Sequence, residues 1–410
     1  MPDWSRRSLL AALGVAGAGV TGGWFLRERT RCRPRVEPQW TYTGRRRLGP
    51  SIPSGNDLLV PEGYGVTGSE RNHRLAALKP FSAQVQWSVV ARGDGFGAPV
   101  RADDTVYVGT GSDTVRALDA DTGRRLWVYD PGGRETYGGA WGQPLVTGDR
   151  VHVGVSHSTD PNADSADPTD FTHRVVALDR KDGSAAWTTA VSGGLWVGPV
   201  LTADTLVAAA REGVLHGLDP TTGARLWELN LPGRVTQPLS VIAEGIVAVV
   251  TDDGTVAFVD VADATIRRTR TPLRGVTSIA RAGDTLYVGG GRGLDGGDDS
   301  PESGRVVAVP TDIGGRIDAD TGRPRWTYDA SVPIDGVAAD PELGVFAIDR
   351  TGHRHRIADG ARDSKDRLVE SHDDGCGWEA DRRRVTDALF HRGGLYVAAE
   401  RWTRLYPVEG

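Results

Sequence analysis

Three groups of side chains in this sequence have types and spacing that could do chemistry. Phe96, Tyr137, Trp141 and Trp196 stand shortly before the Gly/Pro segments Gly97-Ala-Pro99, Gly142-Gln-Pro144 and Gly198-Pro199. If those segments meet at one place, the rings could stack on a planar ligand or hold a peptide side chain, or simply plug the space between them. Asp160, Asn162 and Asp164 alternate within Ser156–Phe171, which also carries Asp167 and Asp170. These are the oxygen donors that calcium takes. Ser165 stands where an EF-hand loop needs glycine and Phe171 where it needs a bidentate glutamate, so a solvated acidic loop competes with a metal site. A second acidic run, Gly291–Gly304, holds Asp295, Asp298, Asp299 and Glu302. His353 and His355 alternate and would share one face of a strand. Two imidazoles without a third ligand are a weak metal signal, and a half-exposed strand is the expectation there. No Ser/His/Asp grouping, phosphate loop or carboxylate pair suited to acid–base work stands out, and no catalytic residue is assigned.

The elements that must position these groups are repeats. The phrase Ala117–Trp127, ALDADTGRRLW, returns as ALDRKDGSAAW at Ala177–Trp187 and GLDPTTGARLW at Gly217–Trp227. A shorter copy, DADTGRPRW, runs from Asp318 to Trp326 with Gly322 at its turn. Each copy reads as strand, turn and return strand. Asp119, Asp179 and Asp219 can accept backbone N–H groups two residues on. Gly123, Gly183 and Gly223 supply a positive φ. Trp127, Trp187, Trp227 and Trp326 bring a large apolar body to a neighbour. Trp87 ends a degraded copy, and Asp260 to Arg268 and Asp359 to Arg367 keep the spacing without the Trp. The motif ends are 40, 60, 40, 41, 58 and 41 residues apart. A period of about 40 marks a β-propeller with one blade per repeat. The two acidic runs account for the two long intervals.

Two orphans complete the ring. Trp40 to Thr43 resembles the strand that follows each motif, yet no motif precedes it. Thr403–Pro407 resembles the strand before a motif turn, yet the given sequence ends soon after. Pairing them closes the ring and removes the free sheet edges. The expected fold is therefore an all-β, eight-bladed propeller of four-stranded antiparallel blades, spanning 40–410, with its N-terminal strand completing the last blade.

With 55 Gly and 23 Pro spread at turn positions, the 410 residues suit one large β-domain. Net charge is −6, but residues 1–47 alone carry ten arginines against three acids. The remainder is thus strongly acidic, which argues against a nucleic-acid partner. Residues 1–30, with Ser5-Arg6-Arg7-Ser8-Leu9-Leu10 before an uncharged run to Leu26, resemble a twin-arginine export signal or anchor. Residues 31–39 form a basic stem. This predicts an exported, membrane-tethered monomer on the extracytoplasmic face. The arginines after the apolar run support the competing orientation, an anchored propeller in the cytoplasm. Cys32 and Cys376 have no metal-ligand spacing and read as two separate thiols or as one bridge.

The A-x-D-x-x-T-G-x-x-x-W phrase, with G-x-P-V before it and V-Y-V-G between, resembles the PQQ-like (quinoprotein-like) propeller repeat over residues 40–410. One branch of that family binds pyrroloquinoline quinone and calcium on the axis and works as a dehydrogenase. Its adjacent cysteines and Glu–Asn–Asp ligand set have no counterpart in this chain. The resemblance is nearer the non-catalytic, BamB-like branch. It implies no enzyme activity, no bound cofactor and a protein or peptide partner. A propeller that binds quinone or calcium, or a ligand sensor, is the alternative.

Overall fold

The computed structural model describes residues 38–44, 47–63, 72–92, 95–112, 114–131, 137–158, 170–292, 303–311, 323–367, 385–399 and 402–408. Outside them lie residues 1–37 with Cys32, the candidate calcium residues Asp160, Asn162 and Asp164, the second acidic run, Gly322 and Cys376. No α-helix occurs among the described residues.

Eight antiparallel sheets carry the chain in order. Blade 2 shows the plan: Val100–Ala102, Thr105–Gly109, Val115–Asp119 and Arg125–Tyr129. First strands of neighbouring blades touch each other, which places them round the axis and the fourth strands at the rim. Blade 8 consists of Val385–His391, Gly394–Ala399, Trp402–Tyr406 and, from the other end of the chain, Trp40–Thr43. Trp40 pairs with Leu405 and Thr43 with Trp402, so the closure expected from the two orphan strands is present.

The hydrophobic pattern follows position in the blade. Second strands such as Ile246–Val250 are buried at every residue, because blades cover both of their faces. Outer strands such as Arg225–Asn230 alternate, because blades splay apart at the rim. Apolar side chains therefore collect between blades. Leu215 and Val207 of blade 4 meet Val247 and Val259 of blade 5. Leu48, Val60 and Ala76 meet Tyr396 and Leu405 across the closure.

The repeated phrase works between blades as well as within one. Trp87 donates its indole N–H to the Ala120 carbonyl at 2.7 Å, Trp127 to Arg180 at 2.9 Å, Trp187 to Pro220 at 3.0 Å and Trp227 to Val261 at 3.0 Å. Each acceptor follows the Asp that opens the next blade's turn. Trp40 makes the same bond to Pro80 at 2.7 Å, locking the closing strand to blade 1. The glycine of each turn lies on the ring it receives. A Cβ on Gly123 would fall 2.6 Å from Trp87, and one on Gly183 would fall 2.5 Å from Trp127. The Asp side chains hold the turns as expected, with one change. Asp179 and Asp219 accept N–H groups two residues on, whereas Asp119 accepts Thr122, three residues on.

Two of the degraded copies depart from their expected register. In blades 1 to 4 a bulge precedes the Trp, so that Trp127 lies opposite Ala117 and Trp227 opposite Gly217. Blade 5 has no bulge, and Arg268 faces Ala257, one residue earlier in the phrase than the Trp partner. Blade 7 turns on only two residues, Asp359 and Gly360, both with positive φ. The residue after its bulge is Ser364, and Arg367 pairs with His353 at the far end of the strand. Spacing from the Asp is thus a poor guide to register when the turn shortens.

Candidate functional site

Strand order assigns the connections to two faces. Turns between first and second strands and the Asp-Gly motif turns share one side, the turn face. Connections between blades and between second and third strands share the other, the loop face. The four aromatic candidates belong to the loop face, as their positions in the repeat imply.

The structure separates those four residues. Phe96 is 0% exposed and packs with Leu59, Ala91 and Val108 between blades 1 and 2. Trp141 is 4% exposed and folds back over Gly139, where a Cβ would lie 2.1 Å from its indole nitrogen. Both rings are interior packing and offer no face to a ligand. Tyr137 pairs with Ser158 in a short strand, and its side chain lies outside the described set. Trp196 differs, being half-buried on the connection between blades 3 and 4. The guanidinium of Arg211 stacks over its ring, 5.1 Å from the centroid.

The backbone around this pair is tied down. Arg211 donates its N–H to Gly194 at 2.7 Å, and its carbonyl accepts Val235 at 2.9 Å. The Glu212 carboxylate accepts the Gly194 N–H at 2.9 Å. A Cβ on Gly194 would lie 3.2 Å from the Trp196 indole nitrogen and 3.8 Å from His173. His173 in turn stacks with Phe171 at 6.4 Å. Phe171, His173, Trp196 and Arg211 thus gather on the loop face of blades 3 and 4. Register locates Arg211 in a second-to-third turn, but only the packing of two blades sets it over Trp196.

Of the two histidines, His353 is half-buried and shares a face with His355 as expected, both meeting Asp349, whereas the burial of His355 departs from expectation. His355 is 2% exposed rather than half-exposed. Its Nε2 contacts Asp349 Oδ2 at 2.8 Å, and its Nδ1 contacts the Tyr328 hydroxyl of blade 6 at 2.6 Å. Asp349 also accepts the Thr351 hydroxyl at 2.7 Å and the Thr351 and His353 N–H groups at 3.0 Å. Lys365 lies 3.5 Å away. Burial alone would raise the Asp349 pKa, but hydrogen bonds from His353, His355 and Thr351 hold it far below the usual carboxylate range. Tyr328 and Asp349 are both buried, and this chain of groups cross-links two blades.

Asp387, on the innermost strand of blade 8, is the opposite case. Its residue surface is only half-buried, yet the protein packed round the carboxyl pushes its pKa up to about 6 against bonds from Ala388 and Ser51 N–H groups. The folded protein therefore keeps this proton between about pH 3.8 and 6 while the unfolded chain releases it. Stability falls as pH rises through that window. Asp387→Asn is expected to flatten that fall and to stabilise the protein at pH 7.5 by roughly 1–3 kcal/mol. Urea midpoints at pH 4.5 and 7.5 check this. An equal drop at both would mean that the amide cannot hold the two N–H groups.

Among the described residues no three His, Cys, Asp or Glu side chains converge as metal donors. A quinone also needs a flat apolar contact, and Phe96 and Trp141 are closed off.

The sequence pattern of the family described as outer membrane protein assembly factor BamB matches residues 37–167 and 172–317. The outer membrane protein assembly factor BamB of Shewanella oneidensis is 28% identical over 164 residues, 37% of this chain and 38% of that protein. The chain therefore spans about two fifths of the length of that relative. The crystal structure of BamB from Moraxella catarrhalis superposes with a TM-score of 0.59 at 17% identity, covering 90% of this chain and 96% of that one. Quinohemoprotein alcohol dehydrogenase from Comamonas testosteroni gives 0.63 at 12% identity, covering 92% and 76%. At such identities the two structures speak for the fold alone. With the repeat pattern matched over more than half of its length, the chain belongs to the PQQ-like propeller family described as outer membrane protein assembly factor BamB.

Proposed function

We propose that this chain is a non-catalytic, exported and membrane-tethered scaffold that holds a protein or peptide partner on its loop face. The observation that carries this reading is Trp196 with Arg211, where a half-buried ring and a guanidinium without an ion pair among the described residues are held by backbone hydrogen bonds. By contrast, the buried titratable groups of blade 7 are spent on joining blades. The name of the Shewanella relative links that protein to outer-membrane assembly. What carries over is the propeller as a platform; the partner is a separate question.

A photo-crosslinking residue at Trp196, compared with one at Gly148 on the turn face, tests the reading. A discrete, saturable crosslink from Trp196 alone is expected. Equal labelling from both faces, or one-to-one uptake of pyrroloquinoline quinone with calcium, would overturn it. Residues 1–30 are proposed as the export and anchor segment. Protease added outside intact cells should then degrade the propeller, and would spare it if the propeller were cytoplasmic.

A further inference from the structure

We propose that Trp196 and Arg211 form a carboxylate-binding site whose ligand is an acidic peptide segment of the partner protein. The proposal rests on the scaffold reading and names the chemistry of its contact.

Both groups are donors left open among the described residues, in contrast to the repeat-motif tryptophans and to several arginines. The indoles of Trp40, Trp87, Trp127, Trp187 and Trp227 each reach a carbonyl across a blade boundary. The Trp196 N–H reaches no acceptor among the described residues. Arg150, Arg180, Arg225, Arg305, Arg325 and Arg350 all pair with carboxylates. Arg211 pairs with none among the described residues, although Glu212 is its chain neighbour. The Glu212 carboxylate instead accepts the Gly194 N–H. Stacking on an indole fixes the guanidinium plane and leaves its N–H edge free, so little side-chain entropy remains to be lost on binding.

A guanidinium edge and an indole N–H supply only donors, so the ligand must bring acceptors and negative charge. Arg234 is an exposed residue on the next connection between blades. Its backbone is one residue from the Val235 N–H that bonds the Arg211 carbonyl, and its own N–H is held by Asp252 at 2.8 Å. The local acids decide the class of anion. Glu212 is the chain neighbour of Arg211, and Asp252 accepts the Arg234 N–H on the next connection between blades. A multiply charged phosphate or a nucleic acid is repelled by such carboxylates more strongly than a single carboxylate is. Single carboxylates spaced along a peptide avoid that repulsion. Half-buried Phe171 and Trp196 offer apolar contact to the residues between them.

The test uses the full chain and a short fluorescein-labelled peptide in which glutamates alternate with leucine and serine. Its twin carries glutamine at every glutamate. Fluorescence anisotropy is expected to show saturable binding of the glutamate peptide, weakened by salt, and little binding of the twin. Arg211→Gln should weaken binding at least about tenfold, the size of one charged hydrogen bond. Arg211→Lys should fall between, Trp196→Phe should lose roughly threefold, and Arg225→Gln on the rim of blade 4 should change nothing. An unchanged urea midpoint for Arg211→Gln shows that the variant is folded, since its guanidinium makes no ion pair among the described residues. Equal binding of both peptides, or full affinity in Arg211→Gln, overturns the carboxylate site. If Trp196 still crosslinks a partner in that case, the scaffold reading survives. Citrate that displaces the peptide completely at comparable concentration would overturn the peptide assignment in favour of a free carboxylate.

Discussion

Replacing Asp349 with alanine is expected to cost the fold about 3–5 kcal/mol, read as a lower urea midpoint. The carboxylate is 0% exposed and collects bonds from Thr351, His353 and His355, with Lys365 at 3.5 Å. Its removal leaves two turn N–H groups, an imidazole and an ammonium without their shared acceptor in a place water hardly reaches. Tyr328→Phe removes one hydroxyl from the same chain and should cost only about 1 kcal/mol. The pH dependence has a definite sign. Because the folded-state pKa of Asp349 lies below the ordinary 3.8, its contribution is complete above that pH and is lost as pH falls beneath it. Wild type should therefore lose stability more steeply below about pH 4 than Asp349→Ala does. Parallel acid-unfolding curves would show that Asp349 is not charged in the native blade.

The second large effect belongs to the contact between glycine and indole. Gly183→Ala should destabilise by about 2–3 kcal/mol, because the new Cβ would sit 2.5 Å from the Trp127 ring in a left-handed turn. Gly148→Ala provides the comparison. It also has a positive φ, but nothing lies within 4 Å of its would-be Cβ, so about 1 kcal/mol of backbone cost is expected. The difference between the two midpoints measures the contact between blades. Ala83 and Ala264 occupy the same turn position in blades 1 and 5 with φ near +50°. The left-handed conformation is thus tolerated, and crowding against Trp127 should dominate at Gly183. Equal losses at Gly148 and Gly183 would show that backbone conformation alone matters.

Repetition is what made the fold readable. A phrase that specifies a turn and its flanking strands recurs at a nearly constant interval, and each copy reports independently on the same register. Trp40 and Thr403 were legible as closing partners because each lacked what the other supplied. Legibility failed where the phrase decays. Nothing in Asp359 to Arg367 announces a two-residue turn, since Asp-Gly serves that turn and the longer one equally well. The acidic run around Asp160, Asn162 and Asp164 lies outside the described residues.

For the candidate site the division is sharper. The sequence alone determined the class, the blade count, the closing strand and the face on which Trp196 lies, because these follow from local turn chemistry repeated along the chain. Only the tertiary structure decided that Phe96 and Trp141 are interior while Trp196 is open, that Arg211 lies over Trp196, and that His355 joins Asp349 to Tyr328. Those facts depend on how one blade packs against the next. Whether a ring on a connecting loop is covered depends on side chains that the neighbouring blade contributes from a distant part of the chain. An aromatic residue before an inner strand reads the same in all three loops, and only the neighbouring blade separates packing from recognition.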